Sequence, residues 1–395
     1  MKYNENFEKL PKSYVFSQMA QKIADKKKRG GERIINLGIG DLKLPLFECS
    51  VNQMKIACEE MRIEKTFKGY PPAEGYEFLR QKISNEYIDN FISVAPDEVF
   101  ITDGAKGQLG NILELFGQKS RVLFLTPCYP AGAEANILYG NEVTFLSGSQ
   151  ENGFFPSPPY GEKYDVIYIC SPNNPTGSCM TYEKLGEWVN YALFSGSVIV
   201  YDNAYSVFVS GDFPKSVYSV KNANKCAIEI NSFSKSFGFT GIRCGFTVIP
   251  KSVGEYNRLQ KRWLGCRCNG VSYISQRGAE AVFSRIGREE VKRRVNFYKT
   301  NAEILKIALK NLKLWYNNTV HSPYVFAKTP HGVSSTEFCE YLLEKTSLAV
   351  TDGAGFLTGG EGYFRLSAFL PREDILETAD RLERIDLGEI ATQNR

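Results

Sequence analysis

Between residues 99 and 249 the chain repeats one pattern: a short apolar run, a polar turn, then a longer amphipathic stretch. The apolar runs fall at 99–102, 121–126, 142–146, 165–170, 197–201, 226–230 and 245–249. Several are apolar at successive positions. A strand with one wet face would alternate, so these read as strands covered on both faces. After Gly104, residues Leu109, Ile112, Leu113 and Phe116 recur at helical spacing. Thr181 stands where a helix N-cap belongs, with Lys184 rather than an acid three residues on. Strand and helix in turn predict an α/β fold, a mostly parallel central sheet flanked by helices.

The rest of the chain has another character. A charged helical stretch is expected from about 278 to 314, then a strand at 324–328, a helix at 334–344, a strand at 363–366 and a helix at 372–385. This predicts a smaller α+β domain, and 395 residues are enough for two. The division expected is an N-terminal segment, 1–40, contributing to the small domain; a large domain, 41–275; and a small C-terminal domain, 276–395. The basic run Lys26-Lys-Lys-Arg-Gly-Gly31 reads as a solvated helix face or turn.

Composition excludes several function classes. A net charge of +4 gives no reason to expect a nucleic-acid partner. No apolar run is long enough to span a membrane, and residues 1–10 carry no apolar signal core, so a cytoplasmic enzyme is expected. The 10 cysteines are scattered singly, as at Cys58, Cys170 and Cys226, and read as reduced and mostly buried. Cys266 and Cys268 come closest to a pair, but with 2 histidines in the chain no metal site is expected.

In α/β sheets ligands bind at the carboxyl ends of the strands, so the polar residues falling there matter most. Asp103-Gly-Ala-Lys-Gly-Gln108 follows the first strand. Its glycine and the free N–H groups of the next helix suit a phosphate, though a plain strand–turn–helix connection reads the same way. Tyr129 follows the second strand, either as a ring that stacks on a flat ligand or as a rim tyrosine. Ser171-Pro-Asn-Asn-Pro-Thr-Gly177 makes a tight polar loop carrying Asn174. Asp202 ends an apolar strand, either as a helix cap or as the partner of a cationic ring nitrogen. Lys235 lies in Ser232-Phe-Ser-Lys-Ser-Phe-Gly238, with Arg243 eight residues on. A buried lysine among hydroxyls is a candidate imine-forming amine, and Arg243 with Ser232 and Ser234 a candidate phosphate clamp. Arg365, inside an otherwise apolar strand, needs a partner: a substrate carboxylate or a structural acid. Together these call for a phosphorylated, carbonyl-bearing cofactor with a ring nitrogen, and pyridoxal phosphate satisfies each demand.

The chain resembles the class I/II aminotransferases of pyridoxal-phosphate fold type I over essentially its full length. Ser171-Pro-Asn-Asn-Pro-Thr-Gly177 and Ser232-Phe-Ser-Lys-Ser-Phe-Gly238 with Arg243 carry the likeness most specifically. Within that family it is most similar to the LL-diaminopimelate aminotransferases, through Ile35-Asn-Leu-Gly-Ile-Gly-Asp41, Gly69-Tyr-Pro-Pro-Ala-Glu-Gly75, Asp103-Gly-Ala-Lys106 and Phe239-Thr-Gly-Ile-Arg-Cys-Gly245. The resemblance implies that residues 41–275 bind pyridoxal 5'-phosphate, with Lys235 as covalent anchor and proton shuttle and Asp202 on the ring nitrogen. It places Tyr205 and Asn174 on the ring oxygen and Tyr129 on the ring face. The phosphate falls to Ala105, Lys106, Ser232 or Ser234, and Arg243, with Tyr70 reaching the neighbouring subunit's phosphate in a homodimer. Arg365, helped by Asn174 and the Gly40 backbone, would grip the substrate α-carboxylate. Glu74 would read a distal ammonium, with Asn269, Lys106 and Tyr14 as further substrate contacts. Glutamate and tetrahydrodipicolinate are the implied small-molecule substrates, in lysine biosynthesis. Transamination of aspartate or an aromatic amino acid is the alternative, followed by another reaction on the same cofactor and by a non-enzymatic binding protein. The chain departs from the usual family wording at Phe237, where a small residue is common, and at Pro71-Pro72-Ala73.

Overall fold

The computed structural model describes residues 2–11, 15–388 and 390, with backbone only for 15–18. The first strand, β1 (Ile35–Asn36), is short. Seven strands then build the large sheet: β2 (Val99–Thr102), β3 (Arg121–Thr126), β4 (Glu142–Ser147), β5 (Val166–Cys170), β6 (Val198–Asp202), β7 (Ala227–Ser232) and β8 (Gly245–Val248). Their order across the sheet is β2-β8-β7-β6-β5-β3-β4. Strands β3 to β7 pair in parallel, whereas β8 runs antiparallel to both β2 and β7.

Why the apolar runs do not alternate is plain from where their side chains go. Val122, Phe124, Val166, Tyr168, Val198 and Val200 pack into one core. The residues between them, Leu123, Leu125, Ile167, Ile169, Ile199 and Tyr201, pack into another on the opposite face. Both faces are dry, so both sets must be apolar. The edge strand β4 alone shows partial exposure along its length. Strand β7 runs past the apolar stretch to Ser232, because Asn231 and Ser232 keep their ladder partners on β8. The buried Asn231 amide is satisfied by the Glu229 carboxylate at 2.9 Å.

Helices form close to where spacing predicts them, with two differences. The stretch after Gly104 is a short α-helix, Ala105–Asn111, that tightens into a 3-10 turn, Ile112–Leu115. The charged stretch expected as one helix is two, Tyr273–Val282 and Arg285–Asn311. Ser284 caps the second by accepting from the Gly287 N–H at 3.1 Å, so the chain restarts there. Thr181 caps the helix Tyr182–Ser195 through the Lys184 N–H at 3.2 Å.

The second half adds β9 (Tyr324–Lys328), β10 (Leu348–Ala349), β11 (Thr351–Asp352) and β12 (Tyr363–Ser367). Strands β11, β12 and β9 form an antiparallel sheet, and β10 pairs in parallel with β1. Ile35 and Leu37 thereby enter a core with Leu305, Val325, Phe338 and Phe364. The basic run proves to be more than a solvated face. It ends the helix Val15–Arg29, and Lys26 and Arg29 both pair with Glu344, at 3.7 and 2.6 Å, tying that helix to Ser335–Thr346. The cysteines are all free, but only Cys128, Cys226, Cys244 and Cys339 are buried. Cys58, Cys266 and Cys268 are exposed, which corrects the expectation of mostly buried thiols. Among the described residues no helix is long and apolar enough to cross a membrane.

Candidate active site

The carboxyl ends of β2, β3, β5, β6 and β7 open on one cleft of about 570 Å³, closed from the other side by residues 39–41, β9 and β12. Ala105, Lys106, Tyr129, Asn174, Asp202 and Tyr205 line it. So do Gly40, Ser232, Ser234, Lys235, Arg243 and Arg365. Arg243 precedes β8, and because that strand is antiparallel its amino end falls at the same edge as its neighbours' carboxyl ends.

Lys235 sits on a one-turn helix, Phe233–Ser236, whose cap Ser232 accepts from the Ser234 N–H at 3.2 Å. Its amine donates to the Gly40 carbonyl. Burial pushes its pKa below the ordinary lysine value, and the Arg365 and Arg243 charges add to the shift against Tyr324 and Asp41. The result favours a neutral, nucleophilic and basic amine. Asp202 ends β6, and burial raises its pKa to about 6, opposed by hydrogen bonds from the Ala204 N–H (3.1 Å) and the Cys170 thiol. A dry carboxylate of this kind is stabilised by a cation placed beside it, which is what a protonated ring nitrogen provides.

Gly104 takes φ +114°, and a Cβ there would come within 2.6 Å of Arg243 Nη2. Backbone and guanidinium thus line one side of the cleft with no side chain between them. Arg243 donates to the Thr240 carbonyl at 3.1 Å and to Ser234 Oγ at 3.4 Å, from a backbone held at φ +63°. Those donors suit a phosphate. The desolvated amine, the dry acid and this cradle together fit pyridoxal phosphate.

On the far side Arg365, 1% exposed, donates to Asn174 Oδ1 at 2.5 Å, to the Gly38 carbonyl at 2.7 Å and to Thr351 Oγ1 at 3.1 Å. Its guanidinium lies over the Tyr324 ring, 4.2 Å from the centroid. All three of these acceptors are neutral, and the fork faces the cleft. The Tyr205 and Tyr324 hydroxyls are 3.0 Å apart. A Cβ at Gly40 would collide with the Tyr324 hydroxyl, so close does that loop pass.

Three polar lining residues were not among the site residues expected from the sequence: Tyr324, Asp41 and Thr240. Burial would raise the Asp41 pKa, but the Thr240 hydroxyl and the Lys43 ammonium outweigh it and hold the carboxyl below its ordinary value. Asp41 closes the Ile35–Asp41 motif, which was the available signal. Tyr324 opens a strand in the other sheet, and nothing local marks it. Tyr70, Glu74 and Asn269 do not line the cleft of their own chain. Tyr70 is 87% exposed, and Glu74 pairs with Arg80 at 3.1 Å. Asn269 is exposed too, beside Gly270, whose Cβ would lie 2.5 Å from the Pro72 carbonyl oxygen, so these residues share one outer face. Tyr14 lies outside the described residues.

A cleft that joins a desolvated amine, a protonable acid and a buried guanidinium, at the carboxyl edge of an α/β sheet, is one for chemistry on amino acids. The chain belongs to the aminotransferase class I and II family, whose profile matches residues 32–382, and it is a transaminase. It is 41% identical to the LL-diaminopimelate aminotransferase of Bacteroides fragilis over 96% of this chain and 98% of that one. It is 39% identical to the enzyme of that name from Prochlorococcus marinus, over 98% and 100%. The solved L,L-diaminopimelate aminotransferase from Chlamydomonas reinhardtii superposes with a TM-score of 0.92 at 33% identity, over 97% of this chain and 98% of that one.

Proposed function

We propose that this transaminase, with pyridoxal 5'-phosphate as cofactor, transfers the amino group of glutamate to ring-opened tetrahydrodipicolinate, giving LL-2,6-diaminopimelate and 2-oxoglutarate in lysine biosynthesis. The observation that carries this reading is the convergence of Lys235, Asp202, Arg243 and Arg365 on one cleft, in a chain alignable end to end with enzymes of that name.

Pyridoxal phosphate, when bound, supplies an electron sink that weakens a C–H bond next to an amino group. The chain's own residues do the rest. Asp202 would keep the ring nitrogen protonated, and Tyr205 and Asn174 would donate to the ring oxygen. Tyr129 would cover the ring. Ala105, Lys106, Ser232, Ser234 and Arg243 would hold the phosphate. In its unprotonated form, which burial favours, the Lys235 amine would accept the proton from the substrate α-carbon and return it at the acceptor carbon. The Arg365 fork holds the α-carboxylate, and Asn174 Oδ1 fixes the angle of that fork.

The outer face of Tyr70, Glu74 and Asn269 fits a homodimer in which each subunit completes its partner's cleft. Tyr70 would reach the partner's phosphate, and Glu74 would read the distal ammonium. Ile56, Ile63 and Phe67 near that face are about half exposed, apolar surface that a partner subunit would cover. The proposed domain division, 1–40 with 276–395 against 41–275, follows the core that joins Ile35 and Leu37 to β9 and β12. We place the enzyme in the cytoplasm. The test of the cofactor is spectroscopic. The purified protein should absorb in the visible, and Lys235→Ala should lose both that band and turnover. A band that survives the substitution would rule out Lys235 as the anchor.

A further inference from the structure

Tyr324 lines the cleft, and nothing in the transfer chemistry yet uses it. It opens β9, is 1% exposed and packs with Leu42, Tyr205, Tyr298 and Phe369. Its backbone is pinned as well: the Tyr324 N–H donates to Ser322 Oγ at 3.1 Å, and its strand position pairs with Ser367. A buried phenol is costly unless its hydroxyl finds a partner. Here the partner is another phenol. The Tyr205 hydroxyl is 3.0 Å away, with the two rings edge-on at 5.4 Å and 69°.

Two phenols in contact share one hydrogen bond, so one donates and the other accepts. Among the described residues the Tyr205 oxygen is the one hydrogen-bond acceptor that the Tyr324 hydroxyl reaches. Gly40 closes another side, where a Cβ would collide with that hydroxyl. Tyr205 has a second acceptor in prospect, the ring oxygen of pyridoxal phosphate. Both protons are used in one arrangement alone: Tyr324 donates to Tyr205, and Tyr205 donates towards the cleft it lines. Burial keeps the Tyr205 proton in place by raising its pKa above the ordinary phenol value, with Tyr324 adding to the rise and Arg365 opposing it. The Tyr324 ring has its own contacts. Arg365 lies over it at 4.2 Å, and Phe369 meets it edge-on at 5.8 Å and 85°. The Lys235 amine lies 5.3 Å from the Phe369 centroid.

We propose that Tyr324 is a positioning residue for transamination: its hydroxyl donates to Tyr205 and so directs the Tyr205 proton to the cofactor's ring oxygen, while its ring backs the Arg365 fork. A hydroxyl that accepts a hydrogen bond donates its own more strongly. Tyr324 therefore helps to hold negative charge on the ring oxygen without touching the cofactor. The inference rests on pyridoxal phosphate being that cofactor.

The experiment is a pH titration of the visible band of the cofactor-saturated protein. A donor on the ring oxygen favours the deprotonated chromophore, so weakening it moves the midpoint up. The charged groups of the cleft, Asp41, Lys106, Asp202, Arg243 and Arg365, are common to all the proteins compared, as are Tyr129 and Cys170. Tyr205→Phe should raise the midpoint by about one pH unit or more. Tyr324→Phe keeps the ring beneath Arg365 and should raise it by about 0.3 unit or more, with KM for the amino acid within about twofold of wild type. In the Tyr205→Phe background, Tyr324→Phe should add less than about 0.1 unit, since no Tyr205 proton is left to direct. A fall in Tyr324→Phe would mean that Tyr324 takes the Tyr205 proton instead. An equal rise in the Tyr205→Phe background would mean that it acts on the chromophore directly, and a KM increase of about tenfold without a shift that it only supports the fork. Each of these overturns the proposal. Wild-type protein with no visible band would overturn the cofactor reading and this inference together, whereas a band indifferent to Tyr324→Phe would overturn this inference alone.

Discussion

Replacing Asp202 by asparagine should stabilise the cofactor-free protein at pH 8 while disabling the enzyme. Burial raises the Asp202 pKa from 3.8 to about 6 in the folded chain. The folded state therefore holds a proton that the unfolded state releases, and it does so between about pH 4 and pH 6. Stability falls as pH rises through that window, and above it the full cost of the dry charge is present. The shift of roughly two units corresponds to about 3 kcal/mol. Asparagine keeps the shape and removes the charge. The unfolded carboxyl is already more than half ionised at pH 4, so the stability difference between Asp202→Asn and wild type should be about 2.5 kcal/mol more favourable to the variant at pH 8 than at pH 4. In a chain of this length that is a Tm difference of about 3–4 °C. Comparing the two pH values cancels what the amide does to packing. The assay is thermal or denaturant unfolding of both proteins, freed of cofactor, across that pH range. A difference that does not change with pH would refute the reasoning, since Asp202 would then be ionised without penalty. With cofactor loaded, the variant should lose turnover by several orders of magnitude, because nothing then holds the ring nitrogen's proton.

Two further substitutions probe the opposite wall. Arg365→Lys gives up the planar fork, so KM for the amino acid should rise by about tenfold or more with a smaller change in kcat, read by steady-state kinetics. Gly40→Ala forces its Cβ into the Tyr324 hydroxyl and should cost about 1–3 kcal/mol along with activity. Adding Tyr324→Phe removes the clashing oxygen and should recover part of the stability in a double-mutant cycle.

Most strands were legible because each needed apolar residues on both faces, which periodicity reports directly. The direction of β8 was not, since direction is set by its ladder with β2 and β7 rather than by its own residues. The restart at Ser284 was missed because the charged pattern continues across it. Cys58 was misjudged because a single thiol on an amphipathic helix carries no mark of which side it faces. At the site, Asp202, Asn174 and Lys235 stand out because chain order alone puts strand-end residues at one sheet edge. Tyr324 and Asp41 reach the cleft from distant segments through contacts that no local pattern encodes. Glu74 was singled out by motif, yet its place on the outer face, paired with Arg80, emerges only in three dimensions.

Substrate choice tests the proposed function most directly. Purified enzyme would receive LL-diaminopimelate, aspartate, phenylalanine and alanine in turn, each with 2-oxoglutarate, and glutamate formation would be followed. LL-diaminopimelate should be the preferred donor, and Glu74→Gln should lower its use far more than that of a short amino acid, because the distal ammonium loses its counter-charge. Good turnover of aspartate with none of LL-diaminopimelate would contradict the assignment.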